Sequence, residues 1–277
     1  MNPTEIKAVL ADIGGGANKG LGQHFLVDKS ALATIVNESE IEPGDRVLEI
    51  GPGLGVLTNA LLEKGANVIA IERDRRFIEY LAAAYPSAKG SKGGPNFIQG
   101  DAAKLDWDSI MGEGKWKFVA NLPYSITSLA IRKALYAKNP PTNLVVLIQR
   151  EVAERIISQK NKQSLLSLMV AYASHETSLV RRVSPGSFFP PPKVESAVLR
   201  VSPMSHEERL AIWGIDPEEI MSLAKKGFAH PRKFLASNLG ISGELLEKIG
   251  LSAKIRAEDL SPAKWRDLTL AVIQAKN

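Results

Sequence analysis

Four consecutive residues, Asn121-Leu122-Pro123-Tyr124, carry the most specific chemistry in this sequence. Proline has no amide hydrogen and restricts the residue before it to an extended backbone. That leaves the carbonyl of Leu122 without a partner, beside the side-chain oxygen of Asn121. Two adjacent acceptors match an exocyclic amino group, which presents two N–H donors. Tyr124 offers an aromatic face on which a base can stack, worth about 1 to 3 kcal/mol. The amine of adenine is a poor nucleophile because its lone pair is delocalised into the ring. Two acceptors on its hydrogens favour a pyramidal nitrogen and aim the lone pair at an electrophile. The gain comes from positioning and charge stabilisation, without a strong general base. A base stacked inside a helix does not reach such a pocket, so its target must be single-stranded or flipped out.

An electrophile can be held upstream. Val47-Leu48-Glu49-Ile50 is a short apolar run ending in glycines at every second position, Gly51, Gly53 and Gly55, before a helical pattern over 56–62. Glycines at such a turn permit positive φ and let a ligand approach the main chain. The following strand ends at Glu72, about 20 residues past the glycines, where a carboxylate can take the two hydroxyls of a ribose. A methyl group on a sulfonium, held by the glycine turn, would be the electrophile. The spacing is G-x-G-x-G rather than G-x-G-x-x-G, and alone it leaves open a nicotinamide dinucleotide or a turn with no ligand. The nicotinamide reading gives no account of Asn121 to Tyr124.

These groups must be brought together by strands. Apolar runs end at Ile50, Glu72, Asp101 (from Asn96) and Asn121 (from Trp116), and a fifth covers 144–148. Helical patterns over 30–38, 73–85, 129–137, 151–158 and 164–174 alternate with them. The expected fold is therefore α/β, a Rossmann-like, mostly parallel sheet with helices on both faces. In such a sheet Gly51, Glu72, Asp101 and Asn121 share one rim, outside which ligands bind. Runs over 177–183 and 194–201 would add an antiparallel hairpin at the end. Beyond Pro203 the pattern is helical, over 217–229, 235–238, 243–249 and 262–274, giving a small C-terminal all-α domain. The expected division is a flexible arm over 1–18, a ligand-binding domain over 19–203 and the helical domain over 204–277. Residues 19–28 read as an ordered loop lying on the main domain.

Composition narrows the options. A chain of 277 residues with 44% hydrophobic residues can bury a full core. It lacks an apolar run of bilayer length and the apolar core of a signal peptide, so a cytoplasmic location and no membrane partner are expected. With no cysteine there is no disulfide, thiolate metal site or cysteine nucleophile. The four histidines are scattered, so no metal cluster is expected. A net charge of +5 is compatible with a polyanionic partner or with a merely basic surface.

The sequence resembles the S-adenosylmethionine-dependent rRNA adenine N(6),N(6)-dimethyltransferases. The resemblance runs from about Lys19 to Val201 and rests on Gly22-Gln23-His24-Phe25-Leu26, Glu49-Ile50-Gly51-Pro52-Gly53, Glu72, Gly100-Asp101, Asn121-Leu122-Pro123-Tyr124 and Phe188-x-Pro190-x-Pro192-Lys193-Val194-Glu195-Ser196. It implies a class I methyltransferase fold. It implies that His24 and Leu26 lie against the cofactor, that Gly51 and Gly53 approach it, and that Glu72 holds its ribose. Asp101 would meet the cofactor adenine, and Asn121 would touch cofactor and target. Tyr124 and Phe188 would sandwich the target adenine, with Leu122 and Pro123 completing the catalytic segment. His24 stands where the family usually has Asn.

The tail bears on the substrate. Lys225-Lys226-Gly227-Phe228-Ala229-His230-Pro231-Arg232-Lys233 resembles the Phe-x-x-Arg-Arg-Lys segment of the small-subunit enzymes, with His230-Pro231 replacing the usual polar-basic pair. Lys225, Lys226, Arg232 and Lys233 are candidate phosphate partners. Arg132, Lys133, Arg150, Arg155, Lys160, Lys162 and Lys193 could add to a groove for structured rRNA. The resemblance implies dimethylation of two adjacent adenosines near the 3′ end of 16S rRNA in the small subunit, and with no exposed apolar stripe evident in the sequence a monomer is expected. Two alternatives stand beside it, a large-subunit (23S) rRNA methyltransferase giving macrolide resistance and a non-catalytic ribosome-assembly factor.

Overall fold

Strands with apolar residues on both faces belong inside a parallel sheet covered on both sides. In the computed structural model, which describes residues 1–16, 23–86, 94–157 and 162–275, the chain begins with α1 (Pro3–Asp12), β1 (Phe25–Leu26) and α2 (Lys29–Glu38). Strand and helix then alternate through β2 (Arg46–Ile50), α3 (Val56–Glu63), β3 (Asn67–Glu72), α4 (Arg75–Ala84), β4 (Asn96–Gln99), α5 (Trp107–Met111), β5 (Lys117–Asn121), α6 (Thr127–Leu135), β6 (Asn143–Gln149) and α7 (Arg150–Ile157). After α8 (Leu165–Ala173) come β7 (Ser174–Val183), β8 (Phe188–Phe189) and β9 (Ser196–Pro203).

The main sheet has the order β4-β3-β2-β5-β6-β9-β7. Strands β2 to β6 are parallel, with Ile50 level with Ile71, Glu72 with Gln99, and Asn121 with Leu147. β9 runs antiparallel to β6. This is the mostly parallel sheet with an antiparallel end that the alternation of runs predicts. Val47, Leu61, Val68, Ile35, Val119 and Val145 join in a core on one face, built with α2 and α3. Trp107 of α5, a helix the sequence pattern did not disclose, packs on the β5 residue Phe118 with ring centroids 5.4 Å apart.

Two compact units result, Met1–Ala153 with Glu176–Pro203, and Glu154–His175 with Met204–Asn277. The second unit contains α8 besides α9 (His206–Trp213), α10 (Pro217–Gly227), α11 (Leu235–Leu239), α12 (Gly243–Lys248) and α13 (Pro262–Gln274). A single boundary near Pro203 therefore misses a helical stretch. The sequence pattern assigns α8 to the sheet domain, yet its Leu168 and Tyr172 join the core of Ile220, Trp265 and Leu268. Gly227 allows that core to close, since a Cβ there would come within 2.5 Å of the Trp265 ring.

The expectation of a flexible arm also fails. Asn2 caps α1, accepting from the N–H groups of Thr4 and Glu5, while Glu5 accepts from the Asn2 N–H. Ile6 and Leu10 are buried against Phe25, Leu54 and Phe77. Residues 17 and 18 lie outside the described residues. The loop expected over 19–28 includes a short strand, β1, paired antiparallel with β8 so that Phe25 faces Phe189 and Leu26 faces Phe188.

Candidate active site

In the first unit the strand order reverses between β2 and β5, and a cleft opens at the carboxyl ends of the parallel strands. Its volume is about 140 Å³. That is roughly ten times what one ordered water needs, so the cleft has room for more than a single bound water. Gly51, Gly53, Glu72, Asp101, Asn121 and Tyr124 all line it. Gly51 and Gly53 have φ of 72° and 55°. A Cβ on Gly51 would lie 3.3 Å from the Pro123 ring, and one on Gly53 would lie 3.2 Å from the Phe25 ring. The glycine turn is thus bare main chain fitted between the Asn121 loop and β1.

Glu72 is tied to this turn. Its Oε2 accepts from the Gly53 N–H at 3.2 Å, and its Oε1 accepts from the N–H groups of Arg73 and Asp74 at 2.7 and 2.8 Å. Burial raises its pKa above the usual carboxylate range, while these N–H groups oppose the rise. At Asp101, Oδ1 accepts from the Ala103 N–H at 3.0 Å, and Oδ2 has no partner among the described residues. A second buried acid lines the cleft, Glu49, which is 1% exposed. The Thr58 hydroxyl donates to it at 2.6 Å. Burial pushes its carboxyl up to about 8 despite that bond, and the nearby Glu72 charge adds to the rise. Its signal in the sequence was an acid in an otherwise apolar strand.

Across the cleft, β5 ends at Asn121. The Leu122 N–H donates to Leu147 O at 3.1 Å, continuing the ladder. The Leu122 carbonyl accepts no hydrogen bond among the described residues. Asn121 Nδ2 donates to the His24 carbonyl at 3.2 Å. Since a carbonyl only accepts, this contact fixes which end of the amide is nitrogen and leaves Oδ1 as the available acceptor. The Tyr124 hydroxyl shares a 2.7 Å hydrogen bond with Ser196 Oγ. Burial raises the phenol's pKa, and the Ser196 bond opposes this. The His24 ring stacks on Tyr124 with centroids 5.9 Å apart, and its Nδ1 donates to Pro190 O at 2.7 Å.

A family model described as ribosomal RNA adenine dimethylase matches residues 15–274. The chain belongs to the ribosomal RNA adenine dimethylase family. Its relatives include a ribosomal RNA small subunit methyltransferase A of Dehalococcoides mccartyi, 39% identical over 92% of this chain and 88% of the relative. The protein of the same name from Nostoc sp. is 36% identical over 89% of this chain and 94% of its own. Among solved structures, a dimethyladenosine transferase from Plasmodium falciparum matches with a TM-score of 0.74 and 25% identity, over 91% of this chain and 98% of its own. The 23S rRNA methyltransferase ErmE shares the fold, with a TM-score of 0.63 and 23% identity over 90% and 100% of the two chains.

In this dimethylase-family chain, His24, Leu26, Leu122, Pro123 and Phe188 line the same cleft as the rim residues. Tyr124 and Phe188, expected to sandwich the target adenine, both line the cleft. Phe188 is 4% exposed and packed into the core with Leu26, and among the described residues the ring stacked on Tyr124 is His24. Lys133 also needs correction as an RNA contact. Its ammonium donates to the carbonyls of Ala102, Ala103 and Leu105 at 3.3, 3.2 and 2.5 Å and lies over the Trp107 ring. Arg150 pairs with Glu195, and Lys162 with Glu258. Arg132 and Lys193 are exposed in the first unit, and Lys225, Lys226, Arg232 and Lys233 in the second. Arg155 is exposed as well, and Lys160 lies outside the described residues. Ser196 was visible within a motif but had no assigned role until the Tyr124 contact gave it one.

Proposed function

We propose that this protein transfers methyl groups from S-adenosylmethionine to the exocyclic amines of two adjacent adenosines near the 3′ end of small-subunit (16S) rRNA. The observation that carries the reading is the Asn121 amide, held by the His24 carbonyl with Oδ1 left beside the unpartnered Leu122 carbonyl. Those two acceptors suit the two hydrogens of an adenine amine. They would align its lone pair without removing a proton first. The rim fits the cofactor. Glu72 can still accept from ribose hydroxyls, Asp101 has an oxygen for an adenine amine, and the glycine turn admits close approach. When bound, S-adenosylmethionine supplies the methyl group as an electrophile.

Small-subunit rRNA is favoured because the relatives at 36 to 39% identity carry that substrate in their names. The likeness to the 23S enzyme is one of fold. A purely non-catalytic assembly role would leave the arrangement of Asn121 and Leu122 without a use. On this reading the protein works as a monomer in the cytoplasm, and Arg132, Lys193 and the basic tail meet rRNA phosphates. The test is methyl transfer from labelled S-adenosylmethionine to separated ribosomal subunits lacking the modification, followed by mapping of the modified nucleotide. Label should enter two adjacent adenosines of the small-subunit RNA. Cofactor binding without transfer to small subunits, or transfer to large subunits alone, would overturn the proposal.

A further inference from the structure

The Lys133 ammonium gives its N–H donors to one turn of main chain, the turn that carries Asp101. It donates to the carbonyls of Ala102, Ala103 and Leu105 at 3.3, 3.2 and 2.5 Å. The turn follows β4 and goes round once, with the N–H groups of Lys104 and Leu105 donating to Asp101 O at 2.8 and 3.1 Å. A helical turn that stops so early leaves carbonyls without main-chain partners, and the cation from α6 supplies them. The indole of Trp107 donates to the Ala102 carbonyl at 2.9 Å, and the ammonium lies over the same ring, 5.4 Å from its centroid. Burial lowers the pKa of this ammonium and Arg132 adds to the fall, while the charges of Asp106, Asp101 and Asp108 oppose it.

One peptide group joins the cation to the carboxylate. The Ala102 carbonyl and the Ala103 N–H belong to the same planar unit. Its oxygen accepts from Lys133 and Trp107, and its N–H donates to Asp101 Oδ1 at 3.0 Å. Holding the oxygen therefore sets where the N–H points and which carboxylate oxygen it engages. Drawing charge onto that oxygen also polarises the N–H and strengthens its bond to Oδ1. Asp101 Oδ2 is left without a partner among the described residues, and Gly100, Asp101 and Ala102 all line the cleft.

We infer that Lys133 is a positioning residue for Asp101, presenting the Oδ2 acceptor to the adenine amine of the cofactor through the peptide between Ala102 and Ala103. The inference rests on the reading of the cleft as an S-adenosylmethionine site. It gives Lys133 a use inside the first unit in place of a phosphate contact. Without the cation the Ala102 carbonyl keeps only the indole, the Ala103 and Leu105 carbonyls lose their ammonium partner, and nothing else on the turn fixes the peptide that orients the carboxylate.

Methionine keeps an unbranched stem for the Trp107 ring and has no donor. Because the chain has no cysteine, Lys133→Cys offers a single site for alkylation of the unfolded protein before refolding. 2-Bromoethylamine then builds a lysine isostere with sulfur in the stem, and 1-bromopropane builds the same shape without the charge. Calorimetry on wild type, Lys133→Met and the two alkylated proteins reads the Kd of S-adenosylhomocysteine and of its analogue with hydrogen in place of the adenine amine. Wild type and the aminoethylated protein should prefer the adenine ligand by at least about tenfold, as befits a hydrogen bond to a carboxylate. In Lys133→Met and the propylated protein the preference should shrink to within about threefold, through weaker binding of the adenine ligand alone. A role in stability alone would weaken both ligands alike or neither. Equal weakening, a preference that survives in Lys133→Met and the propylated protein, or failure of aminoethylation to restore it would overturn the inference. Lys133→Met needs no refolding, so either route decides alone. Wild type that binds both ligands equally would overturn the reading of Asp101 as the adenine partner as well, and wild type that binds neither would sink the cofactor reading itself.

Discussion

Asn121 and Glu49 are polar residues in the same cleft whose surroundings demand opposite things of them. Asn121 must keep an oxygen available, and the His24 carbonyl ensures this by occupying its nitrogen. Removing the oxygen in Asn121→Ala takes away one of two acceptors that matter most as charge develops on the amine. By analogy with the loss of one preorganised hydrogen-bonding group in an active site, kcat should fall about 10² to 10³-fold. Cofactor affinity, measured by calorimetry, should change far less, and activity near the wild-type level would refute the assignment. Burial of Glu49 favours its neutral form over the opposing pull of the Thr58 hydroxyl, and its carboxyl is pushed up to about 8. A pKa raised on folding gives stability that is complete below the unfolded value and is lost as pH climbs through the folded one. Wild type should therefore lose about 1 kcal/mol of stability between pH 7 and pH 9 through this group alone. Glutamine keeps the shape and an acceptor for Thr58 but cannot ionise. Denaturant titrations of Glu49→Gln and wild type should diverge over that interval, with the variant the more stable at pH 9, and parallel curves would mean that Glu49 is already ionised in the fold.

At the scale of elements, α1 holds the wall of the cleft from behind. Ile6 and Leu10 are buried against Phe25, Leu54 and Phe77, all three of which also face the cleft. Ile6→Ala deletes a fully buried side chain and should cost about 2 to 4 kcal/mol of stability. It should also weaken cofactor binding, because the wall loses its backing. Calorimetric affinity equal to wild type at a temperature where the variant is folded would show that α1 stabilises the unit without shaping the site. The role of this helix was only partly legible in the sequence. The Asn2 to Glu5 capping spacing is local and can be read directly, but the surface that receives Ile6 and Leu10 is assembled from β1, the turn before α3, and α4. The rim was legible for the opposite reason. Gly51, Glu72, Asp101 and Asn121 each end or follow an apolar run, and parallel pairing brings such ends together whatever the details of packing. Lys133 misleads because a cation near a helix end looks free for phosphate until the carbonyls of Ala102 to Leu105 are seen around it. The Phe188 motif disclosed which residue comes to the cleft, while its burial beside Leu26 depends on the β1 to β8 pairing, which local spacing does not encode.

For the molecule as a whole, the net charge of +5 has to be apportioned between folding and partners. Much of the basic character in the first unit is already committed. Lys117 pairs with Asp45, Arg200 with Glu38 and Glu40, Arg76 with Asp74, and Lys133 with main-chain carbonyls. The second unit presents Lys225, Lys226, Arg232 and Lys233 exposed, with no side-chain partner among the described residues, followed by the exposed ring of Phe234. Lys225 and Lys226 sit in the last turn of α10, where a cation also offsets the helix dipole and so has a structural use. Arg232 and Lys233 lie beyond the helix and have no such use, which makes them the better candidates for phosphate contacts. Each phosphate neutralised releases counterions, and the logarithm of affinity falls with the logarithm of salt by about 0.7 to 0.9 per contact. Arg232→Gln with Lys233→Gln should therefore weaken binding to small-subunit RNA at low salt and flatten the salt slope by about 1.5. Cofactor affinity, set in the first unit, should not move. A salt slope equal to wild type would assign these two cations to the solvated surface and require the RNA contacts to lie elsewhere.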